Sequence, residues 1–383
     1  MLVTLLEYTI SKGYKIEGWE FGNELCGGGV AAKVNATQYA ADMGNLKLVL
    51  VELFQYPSSL PKLSGPSGFF DREWFADFVQ GIYPDWLDIV SHHIYNLGPG
   101  VDPNLEEKMQ DPYVLDNAAQ TYKDIQQTVQ SFSPWSSVWV SESGGAYNNG
   151  GKASHTFVDG FCGHHWGISV HGYAGYDFYI RPPGFLPTII SWWKLWSPQY
   201  NNNGAKPRLL KVIDHFYNLV LLMYGDFTKV LLCMFVSALL FHRLMGRGVL
   251  ATVHNGPPDL RAYSHCSKTK PGITLLMINL SNSTEFNIDV ASDLNIYAPQ
   301  DVALPSVGSV RMFGERSEHH LTPKDGDLNS TTVLLNGNPL EVTSSGEIPP
   351  MNPAVYNDSN PLTVAPSSIV FVVLSNFKAP ACA

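Results

Sequence analysis

The chain has 383 residues, 45% of them hydrophobic and 12% aromatic, with a formal net charge of −10. That length can bury a large core and form two domains. The negative balance argues against a nucleic-acid binder, and a long polyanionic partner would want a broad basic surface. Five cysteines (Cys26, Cys162, Cys233, Cys266 and Cys382) are too few and too scattered for a metal cluster.

Residues 1–12 read as a helix. Met1–Glu7 has neither a basic n-region nor a small-residue cleavage site, so no signal peptide is expected and the chain reads as beginning inside its domain. Tyr14, Ile16, Trp19 and Phe21 mark a strand over 14–22, and Tyr39, Met43, Leu46 and Leu50 form one stripe of a helix over Asn35–Val51. Leu60–Gly65 predicts a short strand running into a Gly/Pro loop. Asp71–Gly81 is helical, with Trp74, Phe75 and Phe78. Trp86–Val90 predicts a strand that delivers His92, His93 and Tyr95 to its C-terminal end. Leu105–Phe132 is helical but broken at Pro112, and Ser137–Ser141 is the strand ending in Glu142. This βαβα alternation predicts a segment of a parallel α/β barrel.

Two strand ends carry chemistry. Gly22-Asn23-Glu24 sits where the first strand gives way to a loop. An Asn amide there can bind a sugar hydroxyl while the Glu protonates the leaving oxygen. Glu142 leaves a second strand and is followed by glycines. Retaining glycosidases need such a pair about 5–5.5 Å apart. In a parallel barrel all strand C-termini face one mouth, so the two can meet although 118 residues separate them.

The histidine pairs His92-His93, His164-His165 and His319-His320 have no Glu or Cys at metal-ligand spacing, so no metal is expected. Gly144–Gly151 is rich in Gly and Asn, and consecutive backbone N–H groups there could form a nest for a carboxylate. Residues 162–237 show no clear period. Val230–Phe241, twelve residues and apolar but for Ser237, is too short for a membrane span and reads as a core helix.

From about 248 the texture is all-β. Thr274–Asn279, Glu285–Val290, Ser309–Phe313, Thr331–Leu335 and Ser367–Leu374 are short β-branched runs, and Asn336-Gly337 is a hairpin turn signal. This predicts a sandwich without a catalytic grouping, on which His319, His320 and Asp325 are surface loop residues. Asparagines in N-x-Ser/Thr triplets occur at 35, 279, 282, 329 and 357.

Trp19–Leu25 (WEFGNEL), Ser91–Gly100 (SHHIYNLGPG), Val138–Gly151 (VWVSESGGAYNNGG), His242–Gly246 (HRLMG), Leu260–Cys266 (LRAYSHC), Ile273–Leu280 (ITLLMINL) and the Cys-terminated tail together resemble the plant heparanase-like proteins of glycoside hydrolase family 79. The resemblance covers residues 1–160 and 238–383. It implies a (β/α)8 barrel with a β-sandwich, and hydrolysis of glucuronides with retention. It further implies that Glu24 is the acid/base, Glu142 the nucleophile, Asn23 the partner beside the acid and His92 a cleft histidine. Asn148 and Asn149 stand where family members bind the glucuronate with backbone amides, and Cys266 and Cys382 where they form a disulfide. The four strands found here correspond to strands four to seven of that barrel, which makes the chain N-terminally truncated.

Trp192–Trp196 must be encoded around three TGG codons. One nucleotide later, that stretch through Asn202 can read Gly-Gly-Asn-Tyr-Gly-Leu-Leu-Asn-Thr-Thr, the family's sequence at this place, whose Gly and Tyr line the substrate pocket. Residues 162–237 therefore read as a frame error or mis-splicing, restored before Ala238.

The expectation is a partial TIM barrel over 1–237 and a β-sandwich over 238–383, acting as a retaining glycosidase without a cofactor on glucuronides or glucuronic-acid-containing glycans. The alternative is an inactive fragment or pseudoenzyme with at most weak glycan binding; a third reading is another barrel glycosidase such as an arabinofuranosidase. A carbohydrate is the expected partner and nucleic acid is not. The resemblance implies secretion or residence in the endomembrane lumen, and admits peripheral association with membrane or cell wall.

Overall fold

The computed structural model describes residues 2–14, 16–27, 32–54, 60–147, 156–158, 161, 232–268, 270–291, 314–341, 349–357 and 359–382. They fall into two compact units. One is built on the described residues up to 98 and on 116–147; the other takes 99–115 and the described residues from 156 onward.

In the first unit β1 (Gly18–Glu20), β2 (Lys62–Phe69), β3 (Ile89–Ile94) and β4 (Ser137–Ser143) form one parallel sheet in chain order. α1 (Leu2–Ser11) precedes β1. α2 (Ala36–Leu53) and α3 (Arg72–Gly81) provide the next two crossovers, and α4 (Leu105–Gln110) and α5 (Pro112–Phe132) link β3 to β4. The helices start where short polar side chains satisfy the free amides. Asn35 Oδ1 accepts from Gln38 N–H at 2.8 Å, Asp71 Oδ1 from Trp74 N–H at 2.8 Å, and Asp111 Oδ1 from Tyr113 N–H at 2.8 Å. Pro112 ends the helical run at α4 and opens α5, a position where its missing N–H costs nothing. β3 is buried along its length, as expected of a parallel strand covered on both faces. The core seals sheet to helices through Tyr39, Met43, Leu50, Leu63, Phe75 and Phe78. Tyr39 and Phe78 meet edge to face at 5.0 Å.

The second unit is antiparallel. Its larger sheet uses β5 (Met245–Leu250), β6 (Leu260–Ser267), β7 (Ile273–Asn279), β9 (Arg316–Pro323), β10 (Val333–Leu335), β11 (Asn338–Pro339) and β14 (Ser368–Leu374), in the order β11-β10-β9-β14-β7-β6-β5, with β12 (Ala354–Tyr356) also on β9. β8 (Phe286–Ile288) pairs with β13 (Leu362–Val364). One face of β7 and β14 packs Leu275, Met277, Val370 and Val372 against Leu362 and Val364 of the smaller sheet. α6 (Leu232–Leu244) packs on β14 and buries Val236, Leu239 and Leu240. Both faces of β14 are therefore covered, which explains its unbroken apolar run. Cys266 on β6 is bonded to Cys382, with the Cα atoms 5.3 Å apart. Asn336 and Gly337, with φ of 50° and 80°, form the turn between β10 and β11.

The α/β reading of the first part and the all-β reading of the last part hold, with corrections at element ends. β1 is confined to three residues, and β3 extends across the histidine pair instead of ending before it. His319 and His320 are not surface loop residues: they lie on β9, paired with β14, and His319 is buried. The polar alternation of that strand hid its place in the sheet. Asp325 does sit in an exposed turn, at φ 58°. The strand expected over Ser309–Phe313 and the stretch 162–231 lie outside the described residues. Among the described residues no helix is long and apolar enough to cross a membrane.

Candidate active site

The C-terminal ends of β1 to β4 bring together residues that are far apart in sequence. After β1 the chain turns at Gly22, φ 79°, and reaches Glu24, whose φ of 54° is left-handed. Such a conformation costs a non-glycine residue about 1–2 kcal/mol. It is held by Glu24 N–H donating to the Ser67 carbonyl at 2.6 Å, and Ser67 is itself left-handed at φ 53°. Gly68 makes the approach possible. A Cβ there would lie 2.4 Å from Cys26 Sγ and 3.2 Å from Glu24 Cα. Burial pushes the free Cys26 thiol up to about 11, so it stays protonated beneath the loop.

β3 supplies the centre of the site by strand alternation: Ser91, His93 and Tyr95 share one face. Ser91 Oγ accepts from Ser67 N–H at 3.1 Å. His93 Nδ1 lies 2.9 Å from Glu24 Oε1 and 3.6 Å from Glu142 Oε2. Its Nε2 lies 2.9 Å from Ser67 Oγ, which in turn lies 3.3 Å from Ser141 Oγ. With Glu24 Oε1 and Glu142 Oε2 as the acceptors facing it, Nδ1 carries the proton in a neutral imidazole and Nε2 accepts from Ser67. Two register shifts shape this cluster. One, between Pro66 and Gly68, leaves Ser67 without a ladder partner on β3; the other does the same for Ser141 on β4. The second resets the alternation of β4, so Ser141 and Glu142 both point to groups of the site.

Tyr95 O–H donates to Glu142 Oε1 at 2.7 Å. Burial, that hydrogen bond and the charges of Glu142 and Glu24 hold the phenol well above its ordinary range, so it remains a donor. Gly144 leaves room for this ring, since a Cβ there would lie 2.7 Å from it. Phe69 stands beside His93, Tyr95 and Tyr147 with ring centroids 6.4, 6.0 and 6.4 Å away, making an aromatic wall. The side chains of Glu24 and Glu142 keep 13% and 16% of their surface open to solvent, enough to be reached by a ligand.

Of the residues singled out in sequence, Glu24 and Glu142 are brought together: one oxygen of each and His93 Nδ1 all lie within 4.8 Å of one another. This trio has the donor types for a cation, but here the imidazole links the two carboxylates. Asn23 is exposed beside Glu24. His92 requires a correction. It is fully buried on the opposite face of β3, with its ring 5.9 Å from that of Tyr122 on α5. Burial pushes it down to about 3, so it is neutral. The period of two turns His93 to the site and His92 away from it. Asn148 and Asn149 lie outside the described residues. His93, Ser67, Ser141 and Phe69 were missed; the spacing Ser91-His93-Tyr95 was the available signal for His93.

The same arrangement of elements is found in solved glycosidases. The structure of a 4-O-α-L-rhamnosyl-β-D-glucuronidase from Fusarium oxysporum superposes with a TM-score of 0.52, covering 94% of this chain and 70% of that one at 13% identity. Residues 2–165 match the N-terminal domain of glycosyl hydrolase family 79. Heparanase-like proteins 1 and 2 of Arabidopsis thaliana are 40% and 36% identical over 98% of this chain. Baicalin-beta-D-glucuronidase of Scutellaria baicalensis is 33% identical over 97% of it. The chain spans 66%, 67% and 61% of the length of these three relatives. It belongs to glycosyl hydrolase family 79.

Proposed function

We propose that this chain is a retaining glycosidase acting on glucuronides or glucuronic-acid-containing glycans. The observation that carries it is the meeting of Glu24 and Glu142, from two different strand ends, with atoms within 4.8 Å. That is the close spacing of a nucleophile with an acid/base and leaves no room for a water between them. Glu142 attacks the anomeric carbon while Glu24 protonates the departing oxygen; Glu24 then deprotonates the water that releases the sugar. Tyr95 O–H donates to Glu142 Oε1 and so holds the carboxylate in line for attack. Asn23 and the backbone at Asn148 and Asn149 bind the sugar, and the relative named as a glucuronidase supports a glucuronide. We read the parallel sheet as part of a (β/α)8 barrel over 1–237 and the antiparallel sheets as a sandwich over 238–383. The Cys266–Cys382 bond supports secretion or an endomembrane lumen.

A second reading, a non-catalytic member of the family, is favoured by one feature. The parallel sheet has four strands among the described residues, half of what closes an eight-stranded barrel. Hydrolysis of an aryl β-glucuronide by the full chain, with Glu142→Gln as control, separates the two. Release above the control, with the β anomer formed first by proton NMR, supports the retaining enzyme. A rate equal to that of the control supports the second reading.

A further inference from the structure

Two N-x-Ser/Thr triplets stand side by side at the end of β7: Asn279-Leu280-Ser281 and Asn282-Ser283-Thr284. The structure treats their asparagines in opposite ways. Asn279 has no exposed surface. Its Nδ2 donates to the carbonyls of Thr284 at 2.7 Å, Ala365 at 2.9 Å and Val364 at 3.2 Å, and its Oδ1 accepts from Ser281 N–H at 3.0 Å. This one amide closes the turn after β7 and ties it to the segment between β13 and β14. Asn282, three residues on, is exposed in that turn. Ser281 Oγ fixes the turn by accepting from Ser283 N–H at 3.3 Å and Thr284 N–H at 3.1 Å.

We infer that Asn282 carries an N-linked glycan when the chain is made in a secretory compartment, and that Asn279 does not. The transfer replaces one hydrogen of the Asn amide by the anomeric carbon of an oligosaccharide. The C–O bond to a lipid diphosphate donor breaks, the diphosphate leaves and the amide proton passes to a base of the transferase. At Asn282 the product projects into solvent. At Asn279 it would remove a donor that serves three carbonyls and force a bulky polar group into the closed site of a fully buried side chain. A chain modified there cannot form the end of β7, so the folded protein retains Asn279 with a free amide.

The full chain is expressed behind a cleavable secretory leader in eukaryotic cells. Protein from medium and cells together is digested with a glycan-removing amidase in heavy-oxygen water, which marks each formerly glycosylated Asn. The expected peptide over β7 and β8 carries the mark at Asn282 and none at Asn279. Thr284→Ala should lose one glycan from the intact mass, and Ser281→Ala should lose none. A mark at Asn279 in soluble protein, or its absence at Asn282, overturns the inference. If Thr284→Ala aggregates, the mark in the unsubstituted chain still decides.

Discussion

Among the described residues two histidine pairs lie on strands, His92-His93 on β3 and His319-His320 on β9, and alternation places each pair on two faces. In both, burial holds one histidine neutral: His92 is pushed down to about 3 and His319 to about 4, although His93 is buried as well. In both, the other meets a glutamate. The difference lies in where that glutamate comes from. On β9, Glu318 is two residues from His320 on the same strand, its side chain is 3% exposed, and Arg316 and His320 both bind it. Arg316 in turn donates to the carbonyls of Asn357, Asn360 and Pro361. Every charge there is spent on structure. On β3, His93 meets Glu24 and Glu142 from two other strand ends, and no arginine or lysine is paired with either among the described salt bridges. A carboxylate that is answered from its own strand is a staple, whereas carboxylates gathered from separate strand ends and left open can do chemistry.

The sharpest way to break this comparison is to remove the charges one at a time. Glu142→Gln and Glu24→Gln should each lower hydrolysis of an aryl β-glucuronide by about 10²–10⁴-fold or more, with little change in melting temperature. Glu318→Gln should do the reverse. It leaves Arg316 buried without its carboxylate, which costs about 3–5 kcal/mol in urea unfolding, and the rate of the folded fraction stays unchanged. Equal effects on rate at both places would end the distinction.

Tyr95→Phe sharpens it within the site. The hydroxyl is the hydrogen-bond donor on Glu142 Oε1. A bond to a charged acceptor is worth about 1.5–3 kcal/mol, so kcat should fall about 10- to 150-fold while the fold is kept. An unchanged kcat would show that Glu142 needs no such positioning.

These differences were only partly legible in the sequence. Apolar runs and short polar caps disclosed most helices and strands, because burial and capping act through residue type at fixed spacing. Glu24 and Glu142 stood out for the same reason, each at the exit of an apolar strand. Ser67 and Ser141 did not. Their roles depend on register shifts that place one extra residue in a strand, and nothing in a run such as Leu63-Ser64-Gly65-Pro66-Ser67 marks where the ladder slips. His92 was preferred to His93 on the family resemblance, and adjacent identical residues carry no signal of their own to correct it until a strand fixes which face is which. His319 and His320 were mistaken for loop residues because Glu318 and Arg316 made β9 look too polar for a central strand. Their mutual pairing is what permits it.

The smallest effect expected concerns the buried histidines and tests whether they are the inert members of their pairs. The ordinary imidazole titrates near 6.5, and burial pushes His92 down to about 3. Between those values the unfolded chain holds a proton that the folded chain refuses. Stability therefore falls as the pH drops below about 6.5 and keeps falling until about 3, by about 1.4 kcal/mol per pH unit for one such group. His319 acts with the same sign down to about 4. Neither ring nitrogen of His92 has a well-aligned hydrogen-bond partner among the described residues, so His92→Leu gives up at most a poorly aligned contact with the backbone at His93. At pH 7 the substitution should be neutral or stabilising by about 1–2 kcal/mol. Between pH 7 and pH 5 the loss of stability in urea unfolding should shrink by about 2 kcal/mol relative to the unsubstituted chain. An undiminished acid loss in His92→Leu would mean that His92 takes up its proton in the folded state, and the inert reading of that residue would be wrong.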